Sequence, residues 1–241
     1  MIKLLFTFVL FLSWNVLAQD IVFKDTNFQK AVLAYQPPID LNGDGLIQRA
    51  ESDSVKVLNL MQMNIQSIED AYYFPNLEEL VLTRNEIKEL RISGFVKMKR
   101  LTCALNNLKI VEISEMPSLE HLGLNFNDEL DTVVLERLPK LTTLSAQEAN
   151  LKVLNVSDFP LLKYLIVSDN HLTTLDLTKN PEIIQVMLTK NLITELDIRN
   201  NPKLKTQILY LDKSVRIIGT DQQLEEIKNN GLGVSFGVGK N

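Results

Sequence analysis

The sequence has little cysteine, no excess of positive charge and no hydrophobic run long enough to span a membrane. Cys103 is the only cysteine among 241 residues, which excludes a disulfide framework and a zinc site built from thiolates. Lysine and arginine number 25 against 30 acidic residues, a net charge of −5, so nucleic acid and anionic membranes are unfavourable partners. The apolar run at residues 4–12 is shorter than the ~20 residues of a spanning helix.

What the sequence has in abundance is leucine at regular spacing. Between residues 75 and 204 the pattern L-x-x-L-x-L-x-x-N-x-L-x-x-L-x-L recurs, and its clearest copy is residues 160–180. Prolines at 117, 139, 160, 181 and 202 mark successive copies, with steps of 22, 21, 21 and 21 residues. A fixed period in the twenties predicts a solenoid of stacked turns.

The spacing within each copy predicts its structure. In each L-x-L the two leucines face the same way on a strand, so they point into the core and the residues between them face outward. Three residues later an asparagine can bond the backbone groups that are freed where the chain leaves the strand. This position holds Asn85, Asn106, Asn127, Asn170 and Asn191, and Ala149 in one copy. The return segment should be extended or a 3₁₀ turn, because the period is too short for a helix.

The chain divides into four predicted parts. Residues 1–18 have a lysine, an apolar run and small residues at Val16 and Ala18, which predicts a secretory signal peptide cut before Gln19. Residues 19–57 form an N-terminal cap with an amphipathic helix that begins near Asp25 or Thr26. Residues 58–203 are the repeats. Residues 204–241 form a second cap, with a strand at residues 215–218 and a short helix, because every solenoid must cover its open ends.

The N-terminal cap contains a predicted calcium loop at residues 40–51. Its sequence matches D-x-[DN]-x-[DN]-G-x₅-E, in which alternate residues offer oxygen ligands and a glycine makes the sharp turn. The predicted ligands are Asp40, Asn42, Asp44, the Leu46 carbonyl, Gln48 and Glu51. A single loop without a paired partner favours a structural Ca²⁺ over a sensor; the alternative is an acidic turn that binds no metal.

Taken together, the leader, the capping helix, the calcium-type loop and repeats of the form N-P-x-L-x-x-L-x-L-x-x-N-x-L-x-x-L-D-L resemble secreted bacterial leucine-rich repeat proteins of the internalin-like group. The resemblance implies an α/β solenoid. This is a horseshoe with parallel strands on its concave face, a mostly irregular or 3₁₀ convex side and small helical caps. It also implies recognition of a protein or adhesion at the cell exterior.

The exposed strand positions predict where a ligand binds. Stacking places Ile166, Met187 and Ile208 in one strip edged by Tyr164, and Leu105 and Phe126 in a second patch beside His121. Exposed aromatic and apolar clusters are typical of protein-binding surfaces. The first strip has a second interpretation, in which the C-terminal cap covers it.

Two classes of function follow from these residues. The first is a secreted, non-catalytic recognition module that binds a protein or glycan on its concave face, or a secreted inhibitor of another enzyme. The second is a hydrolase that uses Glu148 and Asp169 on adjacent strands as general acid and base. No nucleophile or further metal cluster accompanies these two acids, so the sequence favours recognition over catalysis.

Overall fold

The computed structural model describes residues 19–230 and the backbone of residues 235–238. The predicted signal peptide and most of the last eleven residues lie outside this range. The described chain is a solenoid of about eight turns, and its principal feature is one eight-stranded parallel sheet, called here the long sheet. Its strands are Val57–Asn59, Glu79–Val81, Arg100–Thr102, His121–Gly123, Thr143–Ser145, Tyr164–Ile166, Gln185–Met187 and Leu209–Tyr210.

Each strand of the long sheet follows the predicted alternation. Leu80 and Leu82 are fully buried, whereas Val81 between them is only partly buried. The stacked register joins Leu80 to Leu101 and Val81 to Thr102, so the leucines of successive turns form one core. Cys103, at the second leucine position of its turn, is completely buried, and this burial raises the pKa of its thiol. Cys103 is therefore a small buried hydrophobe of the core.

The asparagine ladder is present, and Asn127 shows its geometry. The side chain of Asn127 is fully buried, and its Nδ2 donates to the carbonyls of Cys103 and Leu124 at 3.0 and 2.8 Å. Its Oδ1 accepts the Leu108 amide at 3.2 Å. One side chain therefore satisfies backbone groups of its own turn and of the preceding turn, as the motif predicts.

The opposite side of the solenoid is extended, and part of it pairs into two short parallel sheets. The first short sheet contains Glu89–Ser93, Ile110–Ser114 and Thr132–Glu136, and the second contains Glu195–Asp197, Arg216–Gly219 and Ser235–Val238. A five-residue 3₁₀ turn, Glu69–Tyr73, lies on the first turn of the solenoid. Both predicted conformations, extended and 3₁₀, occur on this side of the solenoid. The sequence did not predict that the extended segments pair into short sheets.

The first short sheet ends at Thr132–Glu136, because the next return segment, residues 151–157, forms no strand. Val133 and Leu135 are consequently only half-buried, and they line a cleft of about 200 Å³ together with Leu154. Ala149, which takes the asparagine position, belongs to the same turn as this segment. The boundary between these two turns, called here the seam, therefore lacks this strand pairing and the bonds of a ladder asparagine, and Asn150 beside Ala149 donates across it, to the Leu130 carbonyl at 3.3 Å.

The N-terminal cap begins with α1, Thr26–Leu33, which buries Phe28 against the first turn. Asp25 caps this helix: its Oδ1 accepts the amides of Asn27 and Phe28, and its Oδ2 accepts those of Gln66 and Ser67 in the first turn. Partial burial raises the pKa of Asp25, but these four amide donors outweigh it and leave the pKa below its usual value. A short helix α2, Arg49–Ser52, follows the predicted calcium loop.

The C-terminal cap contains α3, Asp221–Asn229, with Thr220 as its N-cap. The helix buries Leu224 and Ile227, and the Gln223 side chain donates to the Ile198 carbonyl at 2.9 Å. The helix α1 begins where the sequence predicts, and α3 is the short helix predicted for the second cap. Among the described residues no helix is long and apolar enough to cross a membrane.

Candidate functional site

The predicted calcium loop has the backbone turn that its sequence requires. Gly45 has a φ of +80°, which only glycine adopts without cost. Asp40 holds the turn, because its two carboxylate oxygens accept the amides of Gly43 and Gly45 at 2.7 and 2.9 Å. The Asn42 Oδ1 accepts the amide of Asp44 at 2.9 Å. The loop is thus closed by its own side-chain oxygens.

Glu51 closes the other end of this loop. Its Oε1 accepts the Leu41 amide at 2.8 Å and its Oε2 accepts the Gln48 amide at 2.9 Å. A hydrogen bond from the Leu46 amide holds the pKa of the Asp44 carboxyl below its usual value. Within residues 19–230, no three acidic, histidine or cysteine side chains form a group that could hold a metal ion. The loop offers oxygen ligands, which is the chemistry that Ca²⁺ prefers. Most of its side-chain oxygens accept backbone amides, whereas Asp44 Oδ2 and Gln48 Oε1 accept side-chain amides of the loop.

The exposed positions of the long sheet stack into rows, as the sequence predicts. The residue before the first leucine forms one row, in which His121 lies between Arg100 and Thr143. The residue between the leucines forms a second row, in which Ile166 lies beside Met187. A third row lies two residues beyond the second leucine, where the chain leaves the strand, and is called here the rim row. Its members are Arg84, Leu105, Phe126, Glu148, Asp169 and Lys190.

The structure corrects the predicted apolar strip at its last member. Ile208 is not beside Met187, because the register pairs Met187 with Tyr210. The 3₁₀ turn Thr206–Ile208 adds two residues before the last strand and shifts it. Leu209, Tyr210 and Leu211 form an L-x-L, which is compatible with this register.

The corrected strip, called here the tyrosine patch, consists of Tyr164, Ile166, Met187 and Tyr210. The two tyrosines are 38% and 44% exposed, and Ile166 and Met187 are half-buried. The helix α3 lies at the end of the solenoid, where Asn230 bonds to Thr206, and does not bury these tyrosines. A pair of exposed aromatic rings flanking two apolar side chains matches the composition of protein-binding surfaces.

The second predicted patch contains Leu105 and Phe126 but not His121. Leu105 and Phe126 are neighbours in the rim row, and each is 40% exposed. His121 begins its strand, whereas Phe126 lies five residues later, beyond the strand end. Because a strand rises roughly 3.3 Å per residue, His121 and Phe126 lie at opposite ends of this strand.

Every residue of the rim row has a left-handed backbone, with φ between 50° and 60°. This conformation costs residues with a Cβ roughly 1–2 kcal/mol, and asparagine and aspartate tolerate it better than leucine or phenylalanine. Leu105 and Phe126 are the two apolar residues of this row, so both adopt a backbone conformation that disfavours their side chains. The sequence motif showed the position of the row but not its backbone conformation.

The acids proposed for catalysis, Glu148 and Asp169, are neighbours in the rim row. The Asp169 Oδ1 accepts a hydrogen bond from the Lys190 Nζ at 2.6 Å, and its Oδ2 accepts one from the side-chain Nε2 of Gln147 at 3.5 Å. Glu148 is exposed. One acid is therefore engaged in an ion pair and the other lies in water, which is not the dry, preorganised arrangement of a general acid and base.

No protein-family model matches the chain. An internalin C2 of Listeria monocytogenes is 21% identical, with a TM-score of 0.53 over 79% of this chain and 94% of that structure. The chain has a leucine-rich repeat fold. A leucine-rich repeat protein of Leptospira interrogans is 18% identical, with a TM-score of 0.49 over 79% of this chain and 62% of that structure.

A sequence relative is also known. A protein of Acanthamoeba polyphaga mimivirus, described as a leucine-rich repeat protein, is 25% identical over 112 residues. The match spans 46% of this chain and 26% of the viral protein. The internalin C2 structure supports the leucine-rich repeat fold alone, because its identity to this chain is low, and the function is argued from this chain's own residues.

Proposed function

We propose that this leucine-rich repeat chain is an exported, non-catalytic recognition module that binds a partner protein on the exposed face of its long sheet. The observation that carries the proposal is the tyrosine patch. Tyr164 and Tyr210 present two rigid aromatic rings beside Met187, and aromatic residues and methionine are enriched at protein interfaces. Glycan binding or inhibition of an enzyme would use the same face.

The absence of charged residues from one row of this face supports the proposal. The row between the leucines carries no charged residue at any of its positions from Asn59 to Tyr210. Interface cores are poor in lysine and glutamate, because burying an unpaired charge is costly.

Photo-crosslinking tests this proposal. Tyr164 is replaced by a photoreactive phenylalanine analogue, and the matched control carries the same group at Val134, which is 40% exposed on the first short sheet. We expect a partner to be crosslinked from cell-surface extracts through position 164 only, and excess unmodified chain to compete for it. The Tyr164→Ala/Tyr210→Ala variant should not compete. Equal crosslinking at both positions, or undiminished competition by the variant, would contradict the proposal.

The proposal includes a division into caps and a calcium ion. The caps are residues 19–57 and 204–241, on either side of repeats at 58–203, and residues 1–18 direct export. The ion would be held by the six oxygen ligands predicted in the loop at residues 40–51. Its role is to fasten the N-terminal cap, since Glu51 already joins both ends of the loop.

Calcium binding is tested by thermal unfolding. With a Kd of ~10⁻⁴–10⁻³ M, as in extracellular modules, 10 mM Ca²⁺ should stabilise the fold by about 1.4–2.7 kcal/mol. We expect Ca²⁺ to raise the melting temperature relative to a chelator, Mg²⁺ to raise it less, and Glu51→Ala to remove the increment. Asp53→Ala, just outside the loop, should retain the increment. Identical melting with Ca²⁺ and with chelator would refute calcium binding.

A further inference from the structure

Leu105 and Phe126 do not contribute to the core in the way that the repeat leucines do. Leu124, two residues before Phe126, is 1% exposed, and Cys103, two residues before Leu105, is fully buried. Leu105 and Phe126 are each 40% exposed and have the left-handed backbone that disfavours such side chains. Stability alone would favour asparagine or aspartate here, as the rim row has at Asp169.

The neighbours of this apolar pair in the rim row carry opposite charges. Arg84 precedes Leu105, since its amide bonds to the Ala104 carbonyl at 3.0 Å, and Glu148 follows Phe126. Both are exposed, and among the described residues neither forms an ion pair. Lys190 lies near Glu148, but its Nζ bonds to Asp169. The row therefore presents a free cation, two apolar side chains and a carboxylate, in that order.

The spacing of these four side chains fits an extended peptide. Neighbouring strands lie roughly 4.8 Å apart, so Arg84 and Glu148 are separated by about 14 Å, with the apolar pair centred near 7 Å. In an extended segment, alternate side chains face the same side and are separated by roughly 6.6 Å. Side chains at positions i, i+2 and i+4 of such a segment thus fall opposite Arg84, the apolar pair and Glu148.

We propose that the rim row from Arg84 to Glu148 binds an extended segment of the partner protein with the pattern acid-x-apolar-x-base. This inference rests on the proposed recognition function and specifies the chemistry of the partner. The acid pairs with Arg84, the apolar side chain packs between Leu105 and Phe126, and the lysine or arginine pairs with Glu148. Charge complementarity sets the direction of the segment along the row.

Fluorescein-labelled synthetic peptides test the pattern by anisotropy on the full chain. The probe SETLTKS carries the pattern, and SETLTES, SKTLTKS and SETSTKS each lack one element. We expect SETLTKS to bind at least tenfold more tightly than the other three. Phe126→Asn, which suits the left-handed backbone, should weaken SETLTKS at least fivefold while the circular dichroism spectrum stays unchanged.

A charge reversal in the protein makes the test specific. With Arg84→Glu, we expect the preference to move from SETLTKS to SKTLTKS, because both ends of the row are then acidic. Val134→Ala, on the first short sheet and outside both the rim row and the tyrosine patch, should leave SETLTKS binding unchanged. Equal binding of the four peptides, no binding of any, or an unchanged preference with Arg84→Glu would overturn the inference. Crosslinking at position 164 would still succeed in those cases if the proposed function is correct, so the two failures are distinguishable.

Discussion

Replacing Asn127 with alanine tests the asparagine ladder most directly. The substitution removes the partners of three buried backbone groups: the amide of Leu108 and the carbonyls of Cys103 and Leu124. No other donor or acceptor bonds to them among the described residues. Each group left unpaired costs about 1–3 kcal/mol, and partial relaxation reduces the sum. We expect Asn127→Ala to lower the free energy of unfolding by about 3–5 kcal/mol.

The matched control is Asn191→Ala. Asn191 makes the same three kinds of bond, to the carbonyls of Val167 and Leu188 and from the amide of Leu172, but it is only half-buried. Water can replace its hydrogen bonds, so we expect a loss of only about 1 kcal/mol.

Urea unfolding followed by far-ultraviolet circular dichroism measures both losses. The slope of the free energy against urea should be unchanged in both variants, which shows that the same surface is exposed on unfolding. If both variants lose the same amount, burial does not determine the cost. If Asn127→Ala loses less than about 1 kcal/mol, the ladder does not satisfy these groups, and the reasoning is refuted.

Three further predictions follow from the fold. Cys103 should not react with a thiol reagent in the native state and should react fully in urea, because burial raises its pKa and excludes the reagent; native labelling would contradict this. The folded-state pKa of Asp25 lies below the ordinary 3.8. The Asp25 carboxylate therefore stabilises the fold fully above about pH 4, and this stabilisation is lost as the pH falls through the folded-state pKa. The melting temperature of Asp25→Asn should therefore depend less on pH in that range. At the seam, the amides of Thr132–Glu136 should exchange hydrogen faster than those of Ile110–Ser114, which is paired on both sides; equal protection would refute this.

How far the sequence predicts this fold is clearest from its regular elements. The leucine spacing placed Leu80 and Leu101 in one buried column, and the capping signal at Asp25 placed the start of α1. These features depend on residues close together in the chain, whose side-chain direction follows from the period of a strand or a helix.

The rows of the candidate site could be predicted from the sequence, but the position of the last strand in them could not. The register holds from Glu79 to Met187, where the period is regular. It fails at Ile208, because a 3₁₀ turn absorbs two residues before the last strand, and residues 207–209 and 209–211 are two alternative positions for that strand in the sequence. Local pattern cannot choose between them, since the choice depends on which leucine packs against Val186.

The sequence by itself determined that this chain forms stacked turns with leucines inside and asparagines at the strand ends. The physical reason is that no single turn can bury its own leucines, so only stacking satisfies the pattern. The tertiary structure alone decided that Tyr210 completes the tyrosine patch, that His121 is apart from Phe126 and that the seam interrupts the first short sheet. These outcomes depend on contacts between turns, where one inserted residue or one missing bond changes which side chains become neighbours.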